Sequence, residues 1–115
     1  MVKLLRTKIH RATVTRAALN YEGSIAIDEA LMEVAGLIVG EAVHVWNINS
    51  GTRLETYVLP ARRNSGEICL NGAAARLVQI GDLVIITSFC WLEEEVARRH
   101  RYKVVFVDEQ NRAIP

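Results

Sequence analysis

Turn signals cut this chain into short pieces, and that punctuation constrains its fold more than any other feature. Gly36, Asn49-Ser50-Gly51, Pro60, Asn64-Ser65-Gly66, Asn71-Gly72 and Gly81-Asp82 recur along the sequence and leave little room for long helices. The pieces between them read mostly as strands, at residues 8–15, 24–27, 42–48, 52–59, 68–70, 83–89 and 103–108. Pro60 is expected to end the fourth of these, because proline has no N–H for a ladder. Three short helices fit the rest. Asp28 caps one that runs to about Ala35, with Leu31, Val34 and Ala35 as its apolar face and Gly36 as its stop. A second follows Asn71-Gly72 as far as Val78, and a third covers 93–99 on the surface. Many short strands, tight turns and small helices predict a mainly β domain closed into a barrel. At 115 residues the chain has room for one domain, able to bury roughly 65% of its unfolded surface.

Charge and composition exclude several functions. Half the residues are hydrophobic and the net charge is only +1, which gives no global case for a nucleic-acid binder. The charge is nonetheless uneven. Lys3, Arg6, Lys8, Arg11 and Arg16 stand near the amino terminus with no acid among them, and Arg98, Arg99, His100 and Arg101 form a second basic run. Such runs are either solvated faces or a basic approach to an acidic substrate. The apolar run 83–92 is about half the roughly 20 residues a membrane helix needs, so no membrane partner is expected. No secretory signal precedes Arg6, and Cys69 and Cys90 are expected to be reduced thiols in a cytoplasmic protein. His10, His44 and His100 are scattered with no ligand spacing, so no metal is expected.

Chemistry-bearing residues fall on definable faces. In strand 8–15, Lys8, His10, Ala12 and Val14 share one face and Ile9, Arg11 and Thr13 the other. In strand 52–59, Arg53, Glu55 and Tyr57 face one way and Thr52, Leu54, Thr56 and Val58 the other. Arg53 and Tyr57 are then about 13 Å apart along a straight strand. They serve one small substrate only if their side chains converge, the strand bends, or subunits share a site. The turn Asn71-Gly72-Ala73-Ala74-Ala75 enters a helix start whose free N–H groups favour a carboxylate or an oxyanion, although it also reads as an ordinary turn with small packing residues.

Gly23-Ser24 taken alone is a common turn dipeptide entering strand 24–27. It also permits a self-cleavage. A serine hydroxyl can attack the carbonyl before it, and glycine there removes the Cβ that would block attack and allows positive φ. Elimination from the resulting ester leaves dehydroalanine, which hydrolyses to a pyruvoyl group and ammonia.

The surroundings of that junction decide between these readings. Lys8-Ile9-His10-Arg11-Ala12-Thr13-Val14-Thr15, then Tyr21-Glu22-Gly23-Ser24, then Asn49-Ser50-Gly51-Thr52-Arg53-Leu54-Glu55-Thr56-Tyr57, then Cys69-Leu70-Asn71-Gly72-Ala73-Ala74-Ala75 follow in order. In order and spacing they resemble the pyruvoyl-dependent aspartate 1-decarboxylases of bacteria, over nearly the whole chain. The resemblance implies a double-psi β-barrel assembled as a homotetramer with active sites between subunits. It implies cleavage into residues 1–23 and 24–115, the second beginning with a pyruvoyl made from Ser24, with neither pyridoxal phosphate nor metal. L-aspartate would form a Schiff base with that group and leave as β-alanine and CO2, feeding pantothenate and coenzyme A synthesis.

By the same resemblance Tyr57 is the proton donor, Arg53 clamps a substrate carboxylate and Lys8 is available to one. Gly72, Ala73 and Ala74 supply backbone contacts to substrate, with Thr56 also near it, and His10 supports the reaction centre. Thr56 and Asn71 serve the cleavage, by positioning the Gly23 carbonyl and stabilising the oxyanion formed when Ser24 attacks. Without the resemblance, Tyr57 reads as a barrel aromatic, Arg53 as a surface residue and Thr56 as a β-former. Arg62, where the family often has an acid, and Asn64, where it often has glycine, depart from the pattern. Asn tolerates the left-handed backbone, so the second departure is mild. Whether cleavage needs a helper protein is open. Two other readings remain: a small barrel binding nucleic acid through its basic strand, and a homologue that assembles without cleaving itself.

Overall fold

In the computed structural model, which describes Met1–Pro115, one long extended stretch holds the two ends of a curled sheet together. Strand β1 (Val2–Thr13) pairs antiparallel with β7 (Leu83–Leu92) and parallel with β8 (Lys103–Phe106). The same stretch continues into β2 (Arg16–Ala18), which pairs parallel with β6 (Ile68–Asn71). Between these ends the strand order is β2-β6-β3-β5-β4-β7-β1-β8, where β3 is Ser24–Asp28, β4 is Ala42–Asn47 and β5 is Arg53–Ala61. Because β2 opens that order and β1 stands next to its far end, yet the two run on from one another, the sheet closes on itself. The mainly β class with a few short helices is as expected.

The core follows from strand alternation. Ile9, Ile25, Ile27, Val43, Val45, Val58, Ile68, Leu70, Val84 and Ile86 are essentially sealed from solvent. Each such side chain contributes about 1.5–3 kcal/mol by leaving water. In β5 the expected faces hold: Arg53, Glu55 and Tyr57 are exposed, while Thr56 is half-buried and Val58 buried.

The β1–β7 register slips at two places, between Leu5 and Thr7 and between Ile9 and Ala12, and the second changes which residues face inward. Arg11 has φ +65°, and the pairing with β7 jumps from Ile9–Ile86 to Ala12–Val84. That extra residue is a β-bulge, so Ile9 and Ala12 both point inward. The expected division, with Ala12 beside Lys8 and Ile9 beside Arg11, is corrected accordingly. Lys8 and His10 do share the outer face.

Helix α1 (Glu29–Ala35) begins and ends where expected, with Asp28 Oδ1 accepting from Ala30 N at 2.9 Å and Gly36 in the left-handed conformation at φ +77°. Its buried stripe is Leu31, Met32 and Ala35; Val34 is exposed, contrary to expectation. Leu31 and Ala35, one turn apart, set the direction facing the barrel, and Met32 rather than Val34 falls on its covered flank.

Strand β5 also runs past Pro60 instead of ending there. Val58 N donates to Glu41 O, so the N–H of residue 60 would lie on the β4 side, beyond Ala42 where β4 begins. No ladder bond is lost there, while β3 pairs with β5 on the other side through Ile27–Pro60. The expected surface helix at 93–99 is reduced to the short α2 (Glu94–Ala97), and the helix after Asn71 is a 3₁₀ segment, Gly72–Leu77. In the loop after β5, Asn64 adopts φ +65° as its residue type allows, and Arg62 is exposed.

Candidate active site

The residues around Gly23-Ser24 converge because β3 and β6 run antiparallel with Ser24 opposite Asn71. Ser24 opens β3 and is 1% exposed, so its hydroxyl has been taken out of bulk water before any reaction. Asn71 Nδ2 donates to Ser24 Oγ at 2.9 Å, and Cys69 Sγ lies 3.3 Å from Asn71 Oδ1. Ser24 Oγ in turn lies 3.5 Å from the Glu22 carbonyl, a long contact within the same turn. Burial pushes the Cys69 thiol up, with Glu67 adding to it, so the group stays an S–H donor at neutral pH.

Gly72 makes the closest approach to the junction. It has φ +66°, and a Cβ there would stand 2.8 Å from Gly23 N and Cα and 2.9 Å from the Tyr21 carbonyl. Only glycine lets the β6 turn press against the 21–23 segment this closely. Gly23 itself is the one glycine of seven without positive φ, so the backbone freedom expected at Gly23 is used at Gly72 instead. What remains is that Gly23 carries no Cβ, and its flank is open. A cleft of roughly 610 Å³ borders the junction, lined by Tyr21, Glu22, Ser24, Cys69 and Asn71, with Arg16 and Glu67 also in its wall. Gly72 is buried, Ala74 packs against the core and Ala73 is exposed.

A second group occupies the outer face of β1, β7, β4 and β5. Arg53 pairs with Trp46 across the β4–β5 ladder, and its guanidinium sits 4.4 Å from the Trp46 ring centroid. Tyr57 stands opposite Ala42 and is 37% exposed. Lys8, Thr87 and His44 align across β1, β7 and β4 in one row, which Glu55 extends on β5. His44 Nε2 lies 3.8 Å from Glu55 Oε2. His10 packs edge-on against Phe106, its Nδ1 buried without a partner. Burial, then the positive charges of Lys8 and Arg11, hold its pKa below the ordinary histidine value.

Gly23, Ser24, Asn71 and Gly72 therefore meet within one chain, whereas Lys8, His10, Arg53 and Tyr57 are absent from the lining of the Ser24 cleft. Thr56 and Tyr57 lie between the groups: β3 and β5 pair from Ile25–Val58 onward, so the residue before Val58 comes alongside Ser24. Thr56 faces Val43 on β4. Two contributors escaped the sequence reading. Trp46 lies within the expected strand 42–48 and was given no role, and the hairpin register that sets it against Arg53 depends on the length of the intervening turn. Cys69 was expected only to be a reduced thiol, although its place two residues before Asn71 puts both on one face of a strand. No group of three His, Cys, Asp or Glu side chains is arranged to hold a metal. No helix is long and apolar enough to cross a membrane.

Residues 1–114 match the family described as Aspartate decarboxylase. The chain is 58% identical over 114 residues to the aspartate 1-decarboxylase of Caldicellulosiruptor saccharolyticus, covering 99% of this chain and 89% of that protein. It is 56% identical over 111 residues to the aspartate 1-decarboxylase of Clostridium beijerinckii, covering 96% and 90%. Among solved structures it is similar to the computationally designed msDPBB_sym2, a double-psi β-barrel, with TM-score 0.48 and 22% identity over 76% of this chain and 99% of that one.

Proposed function

Because the chain belongs to the aspartate decarboxylase family, we propose that it converts L-aspartate to β-alanine and CO2 with a pyruvoyl group made from its own Ser24. The observation that carries this is the buried Ser24 hydroxyl at the Gly23-Ser24 junction, bonded by Asn71 and backed by Gly72. In the first step Ser24 Oγ attacks the Gly23 carbonyl carbon, the hydroxyl proton passes to the Ser24 nitrogen, and the C–N bond breaks to leave an ester. Asn71, with Thr56 on the neighbouring β5, steadies the charge on the carbonyl oxygen during attack. Loss of the Ser24 α-proton then expels the Gly23 carboxylate and leaves dehydroalanine. One water converts this to a ketone and releases ammonia. The products are residues 1–23 and residues 24–115.

The site suits such a group. Ile25 to Asp28 stay bound by ladders to β5 and β6, so the new terminus would keep its place beside Asn71 after the chain is cut. When formed, the pyruvoyl group supplies the electron sink for the pair left behind by CO2. The chain's own residues do the rest. Arg53, its guanidinium carbon 4.4 Å from the Trp46 ring centroid, takes a substrate carboxylate bidentately. Lys8 offers a second cation on the same face, and His10 supports that strand. Tyr57 delivers a proton to the carbon that loses CO2. The backbone of Gly72, Ala73 and Ala74 contacts the substrate from the Ser24 side.

These two groups form one site when the outer face of one subunit covers the Ser24 cleft of another, which we take to occur in a homotetramer. The product would feed pantothenate and coenzyme A synthesis. A denaturing mass spectrum of purified protein is the test, against 12.9 kDa for the intact chain. Two fragments meeting at Gly23-Ser24, the larger with pyruvoyl in place of serine, are expected. A single intact mass that survives prolonged warm incubation in an otherwise folded protein rejects self-cleavage, leaving either a required helper or a non-processing homologue.

A further inference from the structure

Asn71 can steady Ser24 only if its amide is the right way round, and an amide is nearly symmetric in shape. With Nδ2 toward Ser24 the group donates to the hydroxyl and leaves an Oγ lone pair committed; reversed, Oδ1 would take the hydroxyl proton and hold Oγ away from attack. Something must break that symmetry. On its other side Asn71 meets Cys69 Sγ at 3.3 Å, in a pocket where Cys69 is 2% and Asn71 8% exposed. No other hydrogen bond reaches Asn71 Oδ1. The thiol's other contacts are the Leu70 carbonyl at a distant 4.0 Å and the Ala18 backbone N–H, which donates to the sulfur and leaves the S–H free for Asn71.

We infer that Cys69 is a positioning residue for self-cleavage: its S–H donates to Asn71 Oδ1 and thereby fixes Asn71 Nδ2 on the Ser24 hydroxyl. The chain of donors is then consistent from end to end, from Cys69 S–H to Asn71 Oδ1, Asn71 N–H to Ser24 Oγ, and Ser24 O–H toward the Glu22 carbonyl. A hydroxyl that hands its proton to a carbonyl acceptor while receiving an amide donor has one remaining lone pair for the Gly23 carbon. The thiol suits the position because burial keeps it protonated and a donor across the neutral range. A thiolate could only accept, and it would turn the amide the other way.

This inference rests on the self-cleavage proposed above, and its test separates the two. Freshly made wild type, Cys69→Ser, Cys69→Ala and Cys69→Val chains are incubated together, and the fragments ending at Gly23 and beginning at residue 24 are followed by mass spectrometry. Wild type must cleave; if it does not, the self-cleavage reading fails and the role of Cys69 falls with it. Cys69→Ala and Cys69→Val are expected to cleave roughly tenfold more slowly, about the worth of one net hydrogen bond, and Cys69→Ser within about threefold of wild type. Turnover per cleaved chain should be equal in all four. If wild type cleaves and Cys69→Ala keeps pace, the positioning role is overturned. It is likewise overturned if Cys69→Ser is as slow as Cys69→Ala, because the residue then acts by packing and not by donating. Cys69→Val guards against a cavity effect, since it fills the pocket without a donor.

Discussion

The surroundings of Ser24 and the outer face around Arg53 are built from the same sheet in opposite ways. At Ser24 the hydroxyl, the Asn71 amide and the Cys69 thiol are neutral, buried and hydrogen-bonded to one another, while the charged Arg16, Glu22 and Glu67 stand in the wall of the cleft. Around Arg53 the polar groups reach toward solvent: Arg53 and Glu55 are exposed, Lys8 and His44 are half-buried, and Trp46 and Phe89 lie against them. The first arrangement needs no partner and no ligand, which is what a reaction of the chain upon itself requires. The second holds cations in search of an anion, which is what substrate capture requires. The molecule thus separates making the reactive group from using it, one region for each.

The sharpest way to break this separation is to remove each region's key residue and score both readouts. Ser24→Ala should yield no fragments and no CO2 release from aspartate at all, while assembling normally; fragments ending at Gly23 from that variant would show that the Ser24 hydroxyl is not the nucleophile. Tyr57→Phe should cleave fully yet lose roughly 10²–10⁴-fold in turnover, the usual range for a missing proton donor. Near-normal turnover in a fully cleaved Tyr57→Phe would take it out of that role. Mixing Ser24→Ala with Arg53→Ala subunits, after dissociation and reassembly, then asks whether one site draws on two chains. Recovery of about a quarter of wild-type turnover is expected if the two residues come from neighbouring subunits and chains mix at random, since about a quarter of sites then pair two unaltered partners. No recovery in demonstrably mixed oligomers would put both residues in one subunit.

A smaller effect tests the frame that both regions share. Asp28 caps α1 and also accepts from Asn64 N and Gly66 N, each at 2.9 Å. Burial pushes its carboxyl up, but these three N–H groups and the Arg112 charge outweigh burial and hold the pKa below the ordinary value. Asn111, buried with φ +61°, ties the same loop to β1 through Gly66 O and both backbone groups of Thr13. Asp28→Ala should cost roughly 3 kcal/mol, the order expected for a charged acceptor serving three buried donors. Denaturant unfolding measures it; a loss below about 1 kcal/mol would show that the loop holds without the carboxylate.

Much of this frame could be read from the residues. Asp28 and Gly36 bound α1 as their types dictate, and the alternation around Arg53 and Tyr57 gave their common face. What escaped the sequence has a common physical origin in pairing between distant segments. Arg11 carries no glycine-like signal of a bulge, so the reversal of faces after it appears only in the register with β7. Pro60 looked like a stop because its tolerance depends on where β4 begins. Arg16–Ala18 is too short to show periodicity and exists as β2 because β6 lies alongside. Gly23 and Ser24 were identifiable by type, whereas the pressure of Gly72 on Gly23 and the bond from Asn71 to Ser24 follow from β3 lying on β6.

The least of these effects concerns pH and falls on the outer face alone. His10 is held toward its neutral form by burial, Lys8 and Arg11; Phe106 packs on its ring, and Asp108 and Glu109 share the groove it borders. A folded-state pKa below the unfolded value means that the unfolded chain binds the proton more readily. The stabilisation is therefore complete above the unfolded histidine value and is lost as pH falls through the folded one. Stability should decline as pH falls below about 6.5 in wild type, more steeply than in His10→Gln, when both are measured by thermal unfolding. Cleavage of Ser24 should not follow that decline in the same window, since no titrating side chain bonds to Ser24 or Asn71 except the thiol, which stays protonated throughout. Parallel loss of cleavage and stability would join the two regions that the structure keeps apart, and equal pH profiles for wild type and His10→Gln would remove His10 from the account.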